Sequence, residues 1–297
     1  MKHPIIPTMK ILAWLLGGIL VMFAAIPAAT KSTVDLPVSQ GTFITLIMVM
    51  IGIGAAMWLF FIKNIDAKKL RIVMAIGLGV IGTRAVFTFA PWAANFVTTP
   101  LLIGVLAYAM YSIARVVGDE KSRKGKSFEW RYELISTLAV ANNLFYAFVI
   151  PTVGVIYGLM IEPLYAALLL SAVALYDAWA VWKSKIMQKL ATFLMKDIGA
   201  FPGYLVTYKQ PKTKAKNSKD EIALGFLGGG DVFFLSLVPV SFMQFNFILG
   251  LATLFGMTIA LVGLFLMSDK KPYPAIPFMW AGMLFGILWV AVFGASS

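Results

Sequence analysis

The chain alternates between long apolar stretches and short polar ones. Nine of the apolar stretches approach the roughly 20 residues that a helix needs to cross a bilayer. They are Ile11 to Ala29, Thr42 to Ile62, Ile72 to Ala90, Phe96 to Ala114, Leu134 to Val153, Pro163 to Trp182, Ile222 to Val240, Phe247 to Met267 and Ala275 to Phe293. This pattern predicts an all-α, polytopic membrane protein with nine transmembrane helices, forming a single membrane domain over residues 1–297. Spans one to six fill residues 11–182, a loop fills 183–221, and spans seven to nine fill 222–293. The first stretch can also be read as a secretory signal peptide, because Met1 to Lys10 is basic and Ile26-Pro27-Ala28-Ala29 offers small residues behind it. Its apolar core exceeds the usual length of about 7 to 15 residues, so it is read here as a span.

Within the loop, Ile186, Met187, Leu190, Phe193, Leu194 and Ile198 recur at three- and four-residue spacing, with Lys185, Lys189 and Lys196 between them. From Ser184 to Ala200 this predicts an amphipathic helix lying on the membrane surface. Lys209 to Lys219 is polar and basic, and reads as a solvated tether. No repeat of 20 to 50 residues is visible.

Composition sharpens the picture by exclusion. Of 297 residues, 60% are hydrophobic and only 13% charged, where a soluble domain carries about 25% charged residues. There is no cysteine, and the one histidine is His3 in the polar N-terminal tail. Disulfides, thiolate metal sites and cysteine nucleophiles are excluded, as are a Ser-His dyad within the spans and an HExxH zinc site. No metal and no organic cofactor are expected.

The net charge of +12 could suggest nucleic acid, but its placement points to the membrane. Alternate sides of nine spans receive 2, 4, 6, 9 and 2 Lys and Arg residues on one side, 23 of the 25. The other side has Lys31 alone, and Arg84 falls inside span three. By the positive-inside rule the N-terminus and the long loop are cytoplasmic and the C-terminus is outside, in a multi-pass cell-membrane protein that binds no nucleic acid. Adding or removing one internal span would reverse every later loop and destroy the asymmetry.

Charges inside a bilayer need a reason, since each costs on the order of 2.5 to 3.5 kcal/mol at a helix centre. Four such groups remain once loops are set aside: Arg84, Glu162, Asp177 and Asp231. Glu162, next to Pro163 at the outer edge of span six, fits a first-turn carboxylate favoured by the helix dipole. Arg84 can pair with a carboxylate, snorkel, or bond backbone carbonyls.

Asp177 and Asp231 are a different case. Asp177 lies about 9 Å from the cytoplasmic end of span six, and Asp231 roughly 15 Å into span seven from the same side, at 1.5 Å per residue. Helices joined through one loop run antiparallel, so the two carboxylates can meet at similar depth. Two carboxylates held close in a low dielectric titrate as a unit with one shared proton, which makes one an acid and the other a base. Proteolysis needs that arrangement, and a proton relay in a transporter uses it equally well.

The neighbourhood separates these readings. Gly228-Gly229-Gly230 directly precede Asp231, and each glycine weakens a helix by about 1 kcal/mol relative to alanine. Close helix packing is the simple explanation for glycines in a membrane. Three in a row before an acid also suggest a weakened turn that an extended backbone can approach, which matters because the amides of a helical substrate must be released before attack. Pro274 and Pro277 flank Ala275 and Ile276 at the entrance of span nine, leaving backbone groups open to an extended peptide, or simply marking a helix start. Tyr176 beside the acid can hydrogen-bond or gate the site. Trp179 and Trp182 read as interface anchors, Asn142 and Asn143 as helix-to-helix hydrogen bonds, and the 16 methionines as packing material.

Tyr176-Asp177 in span six, the GxGD element Gly228-Gly229-Gly230-Asp231 in span seven and Pro274-Ala275-Ile276-Pro277 opening span nine together resemble the presenilin and signal peptide peptidase family. The stretch from Tyr176 through Lys185, Met187, Leu190 and Ala191 is most similar to the archaeal presenilin homologues. The likeness runs from Pro163 to Phe293, and before that it is only in span count. It implies a presenilin-like fold and an intramembrane aspartyl endopeptidase that hydrolyses peptide bonds of transmembrane helices or remnant signal peptides. Asp177 and Asp231 would be its catalytic pair. Tyr176, Gly228, Gly229, Gly230, Pro274, Ala275 and Ile276 would support the site and the substrate. The family usually has Pro-Ala-Leu where this chain has Pro274-Ala275-Ile276, a volume-conserving change. The alternative is an ion channel or proton-coupled transporter in which the two aspartates relay ions or protons.

Overall fold

A computed structural model describes residues 5–32, 128–183, 203–210, 221–267 and 273–293. Spans two to four, Arg84 and the amphipathic segment from Ser184 to Ala200 lie outside the described residues. Among the described residues, six α-helices and one two-stranded sheet follow in chain order: α1 (Ile5–Ser32), α2 (Phe128–Met160), α3 (Pro163–Ala178), β1 (Gly203–Gln210), β2 (Glu221–Gly228), α4 (Gly229–Phe245), α5 (Phe247–Met267) and α6 (Ala275–Phe293). A π-helical turn, Trp179–Lys183, extends α3. Five of the helices contain stretches long and apolar enough to cross a membrane, and the chain is a mostly helical, multi-pass membrane protein.

Helix ends follow local chemistry. Glu162 is extended, Pro163 opens α3, and the Ala166 N–H donates to the Glu162 carbonyl, so a proline sits where a missing N–H leaves no bond broken. The expected spans eight and nine coincide with α5 and α6. Between α4 and α5 the chain reverses over one residue. Asn246 is extended, and its Oδ1 accepts the Leu249 N–H at 3.0 Å, an N-cap for α5.

The described residues are mostly helical, as expected, and the one two-stranded sheet corrects the bounds of span seven. Residues Glu221–Gly228 are a strand, paired antiparallel with Gly203–Gln210 in the register Gly203↔Gly228 through Gln210↔Glu221. Tyr204, Leu205, Val206, Thr207 and Tyr208 are strand-forming types, and the apolar run of β2 is as hydrophobic as a membrane helix, so hydropathy alone merged it with α4. Lys209 and Gln210, expected in the tether, close β1. Asn143, 1% exposed, holds the edge of β1 turned away from β2: its Nδ2 donates to the Leu205 carbonyl at 2.6 Å and its Oδ1 accepts the Leu205 N–H at 2.7 Å. Asn142 Nδ2 donates to the Gly203 carbonyl at 2.8 Å. These asparagines were expected to join helix to helix, and they join a helix to a strand.

The core is drawn from α1, α2, α3, α4, α5, α6 and both strands, with Met22, Met257, Met279 and Met283 fully buried. Glycines set the closest approaches. A Cβ on Gly154 would stand 2.7 Å from Ser236 Cβ, and one on Gly158 would stand 2.6 Å from the Leu237 carbonyl oxygen. Gly256 of α5 and Gly282 of α6 bring their backbones into direct contact, as do Gly286 and Ala252. These pairings make α2 parallel to α4, and α5 antiparallel to α6, the directions expected of spans five and seven, and of eight and nine. Gly18 of α1 lies against the Tyr204 hydroxyl, which burial keeps protonated above its ordinary range.

Candidate active site

Asp231 is the third residue of α4, not a residue deep inside a helix as the expected span required. Gly228 precedes the helix in extended conformation (φ −62°, ψ 143°), and Asp231 lies in the first turn. The Gly228 N–H donates back to the Asp231 carboxylate, the return half of a capping box. The three glycines therefore mark a strand-to-helix junction instead of weakening a helix interior. They differ in surroundings: a Cβ on Gly228 would meet Asp231 Oδ2 at 3.1 Å, while one on Gly230 would meet nothing within 4 Å. Among the described residues, close helix packing falls to other glycines, such as Gly154, Gly158, Gly256 and Gly282.

Asp177 reaches the same region from the last turn of α3. It is 7% exposed, and its Oδ2 accepts the N–H of Ile276 at 3.3 Å. Ile276 is the second residue of α6, so its N–H is one of the donors that a helix start leaves without an internal partner. Asp177 thus caps α6 from another helix. Pro274 and Pro277 bring no N–H of their own, which leaves the Ile276 N–H the central donor at this end. The Pro274 and Ala275 side chains are buried with Ile276.

Two helix N-termini therefore converge on two carboxylates, and Asp231 lies within electrostatic range of Asp177. Each helix start carries about half a positive elementary charge, which offsets negative charge on the pair. Among the described residues no group of three or more His, Cys, Asp and Glu side chains comes together. What the arrangement offers is two acids, each oriented by one backbone N–H.

The remaining expected residues stand apart from the pair. Tyr176 is 49% exposed and its ring lies 6.2 Å from that of Trp179, on the outer face of α3. Trp179 and Trp182 are exposed near the end of α3, as interface anchors would be. One contact had no precedent in the sequence reading: Trp280 Nε1 of α6 donates to Ser171 Oγ of α3 at 2.7 Å. Serine and tryptophan a hundred residues apart in apolar spans carry no spacing signal, so only the fold reveals it.

A family described as signal-peptide peptidase, presenilin aspartyl protease matches residues 124–296. The chain belongs to this family. The presenilin-type assignment makes it an aspartic endopeptidase that works within the membrane, with membrane-helix substrates. Two solved structures of a presenilin family intramembrane aspartate protease share the fold. The form in space group C222 superposes with a TM-score of 0.58 at 16% identity, covering 96% of this chain and 99% of that one. The P2 form gives 0.55 at 18% identity, covering 95% and 97%. Comparison with curated proteins gave no match. The likeness of fold takes in α1 and α2, which precede Pro163, where the sequence likeness was only one of span count.

Proposed function

We propose that Asp177 and Asp231 are the catalytic dyad of this intramembrane protease, and that it cuts peptide bonds within transmembrane helices or remnant signal peptides. The supporting observation is their convergence: one carboxylate caps α6 through Ile276 and the other opens α4, within electrostatic range. One carboxylate takes a proton from water, whose oxygen bonds to the scissile carbonyl carbon. The other, protonated, donates to the carbonyl oxygen. As the tetrahedral intermediate collapses, the C–N bond breaks and the departing nitrogen takes a proton from the dyad, leaving a carboxyl and an amine terminus. Gly228, Gly229 and Gly230 on one side and Pro274, Ala275 and Ile276 on the other would flank an extended substrate backbone.

The placement of basic loops supports a cytoplasmic N-terminus and an outside C-terminus, with water reaching the dyad from the cytoplasmic side. In this orientation the catalytic helices point as in presenilin and opposite to signal peptide peptidase, which favours substrates whose N-terminus is outside. Paired reporters of opposite topology test this, and preference for the reverse would refute it.

The dyad is tested by incubating purified protein in detergent with a model transmembrane peptide. Asp177→Asn and Asp231→Asn are each expected to abolish product, and a transition-state-mimicking aspartyl protease inhibitor to block it. Undiminished product after either substitution would sink the assignment. Ion flux lost in the same variants, with no peptide product from the parent, would favour the relay reading instead.

A further inference from the structure

Asp177 sits on α3, while the N–H that orients it sits on α6, so the geometry of the acid depends on how two separate helices are aligned. Two hydrogen bonds cross between them. Ile276 binds Asp177, and Trp280 binds Ser171. Residue numbers rise along α6 as they fall along α3, so the helices run antiparallel, and Ile276 and Trp280, four apart, project from one face of α6.

Ser171 is well suited to a fixed contact. Its Oγ donates to the Ala167 carbonyl at 2.7 Å, which commits its one proton and turns a lone pair outward. Indole N–H is a donor only, so the pair can bond in one sense. On its other side α6 packs against α5 through Gly282 and Gly286, whose bare backbones approach closely but carry no side chain to lock the helix along its axis. A slip of one residue along α6 would move the Ile276 N–H by about 1.5 Å and turn it by about 100°.

We infer that Trp280 and Ser171 form a positioning clasp that fixes the register of α6 on α3 and so holds the Ile276 N–H on Asp177. The clasp rests on the reading of Asp177 as catalytic. It acts on the rate of the chemical step, because a misplacement near 1 Å can lower turnover about 100-fold while leaving substrate binding intact.

The test uses the full chain in detergent or lipid, with a model transmembrane peptide. Trp280→Phe keeps the ring and removes the N–H, and Ser171→Ala removes the acceptor. Each is expected to lower kcat about 10-fold or more with KM little changed, and Ser171→Thr, which keeps the hydroxyl, to retain most activity. Because both singles break the same bond, the double variant should fall no further than either. A structural readout is independent of activity. The chain lacks cysteine, so nitroxide labels at the exposed positions Leu175 and Leu288 report the α3 to α6 distance without background. A single narrow distance in the parent should broaden or shift in Trp280→Phe. An unchanged distance, additive losses, or losses that track the unfolding temperature alone would overturn the clasp. A distance that shifts in Trp280→Phe while the parent cuts no peptide would retain the clasp as structure and refute the catalytic reading.

Discussion

At the scale of single residues, Asn143 shows how a buried polar group is retained in an apolar bundle. Its amide supplies one donor and one acceptor to Leu205, which a second strand would otherwise satisfy. Replacing it with alanine leaves the Leu205 N–H and C=O both buried without that partner, and each unsatisfied group costs roughly 1–3 kcal/mol. Asn142, only partly buried, gives one bond to Gly203. Asn143→Ala should therefore lower the unfolding midpoint clearly more than Asn142→Ala, as followed by thermal unfolding in detergent. Equal effects would mean that the two-point grip on β1 contributes nothing. The sequence indicated that these residues hydrogen-bond inside the bundle, because amides in apolar spans must. It could not name the partner, since β1 lies about sixty residues away, within the long loop itself.

At the scale of elements, the junction between β2 and α4 decides where Asp231 sits. Hydropathy read Ile222 to Val240 as one helix because a buried strand and a membrane helix present the same unbroken apolar run, and periodicity does not separate them. The strand was legible only in the glycines, which end β2 and allow the sharp entry into α4. Asp177, by contrast, was placed well. Span six begins at the proline that structure and sequence share, and no strand intervenes before the acid. The span-nine entrance was legible for the same reason, because Pro274 and Pro277 permit few alternatives to a helix start. The revised junction gives an unequal prediction for adjacent glycines. A methyl on Gly228 would stand 3.1 Å from Asp231 Oδ2 and meet the carboxylate itself, whereas Gly230 faces open space. Gly228→Ala is expected to lower kcat by about 10-fold or more, by shifting the carboxylate that Gly228 anchors. Gly230→Ala should lose far less activity and stabilise the first turn of α4 by up to about 1 kcal/mol. Kinetics and thermal unfolding of the two variants side by side check both halves.

At the scale of the whole molecule, the proposed dyad belongs to no single element. Asp231 is carried by the sheet and α4, which lean on α2 through Gly154, Gly158 and Asn143, while Asp177 depends on α3 and on α6, which in turn leans on α5. Without a hydrophobic force between helices in lipid, backbone contact at small residues must supply much of that support. The α5 to α6 seam, which begins about seventy residues beyond Asp177 in the chain, should then matter to catalysis. Gly256 provides a direct test, because its missing Cβ would fall on the backbone of Gly282, which cannot swing aside as a side chain would. Gly263, on the same helix, has nothing within 4 Å. Gly256→Ala should force α6 away from α5, lowering stability by about 1–3 kcal/mol and reducing kcat as the Ile276 N–H moves off Asp177. Gly263→Ala, chemically identical, should be neutral or stabilising by up to about 1 kcal/mol and leave turnover unchanged. If the two variants behave alike, helix α6 is not held in place by its glycine seam, and the support of Asp177 must be sought elsewhere in the bundle.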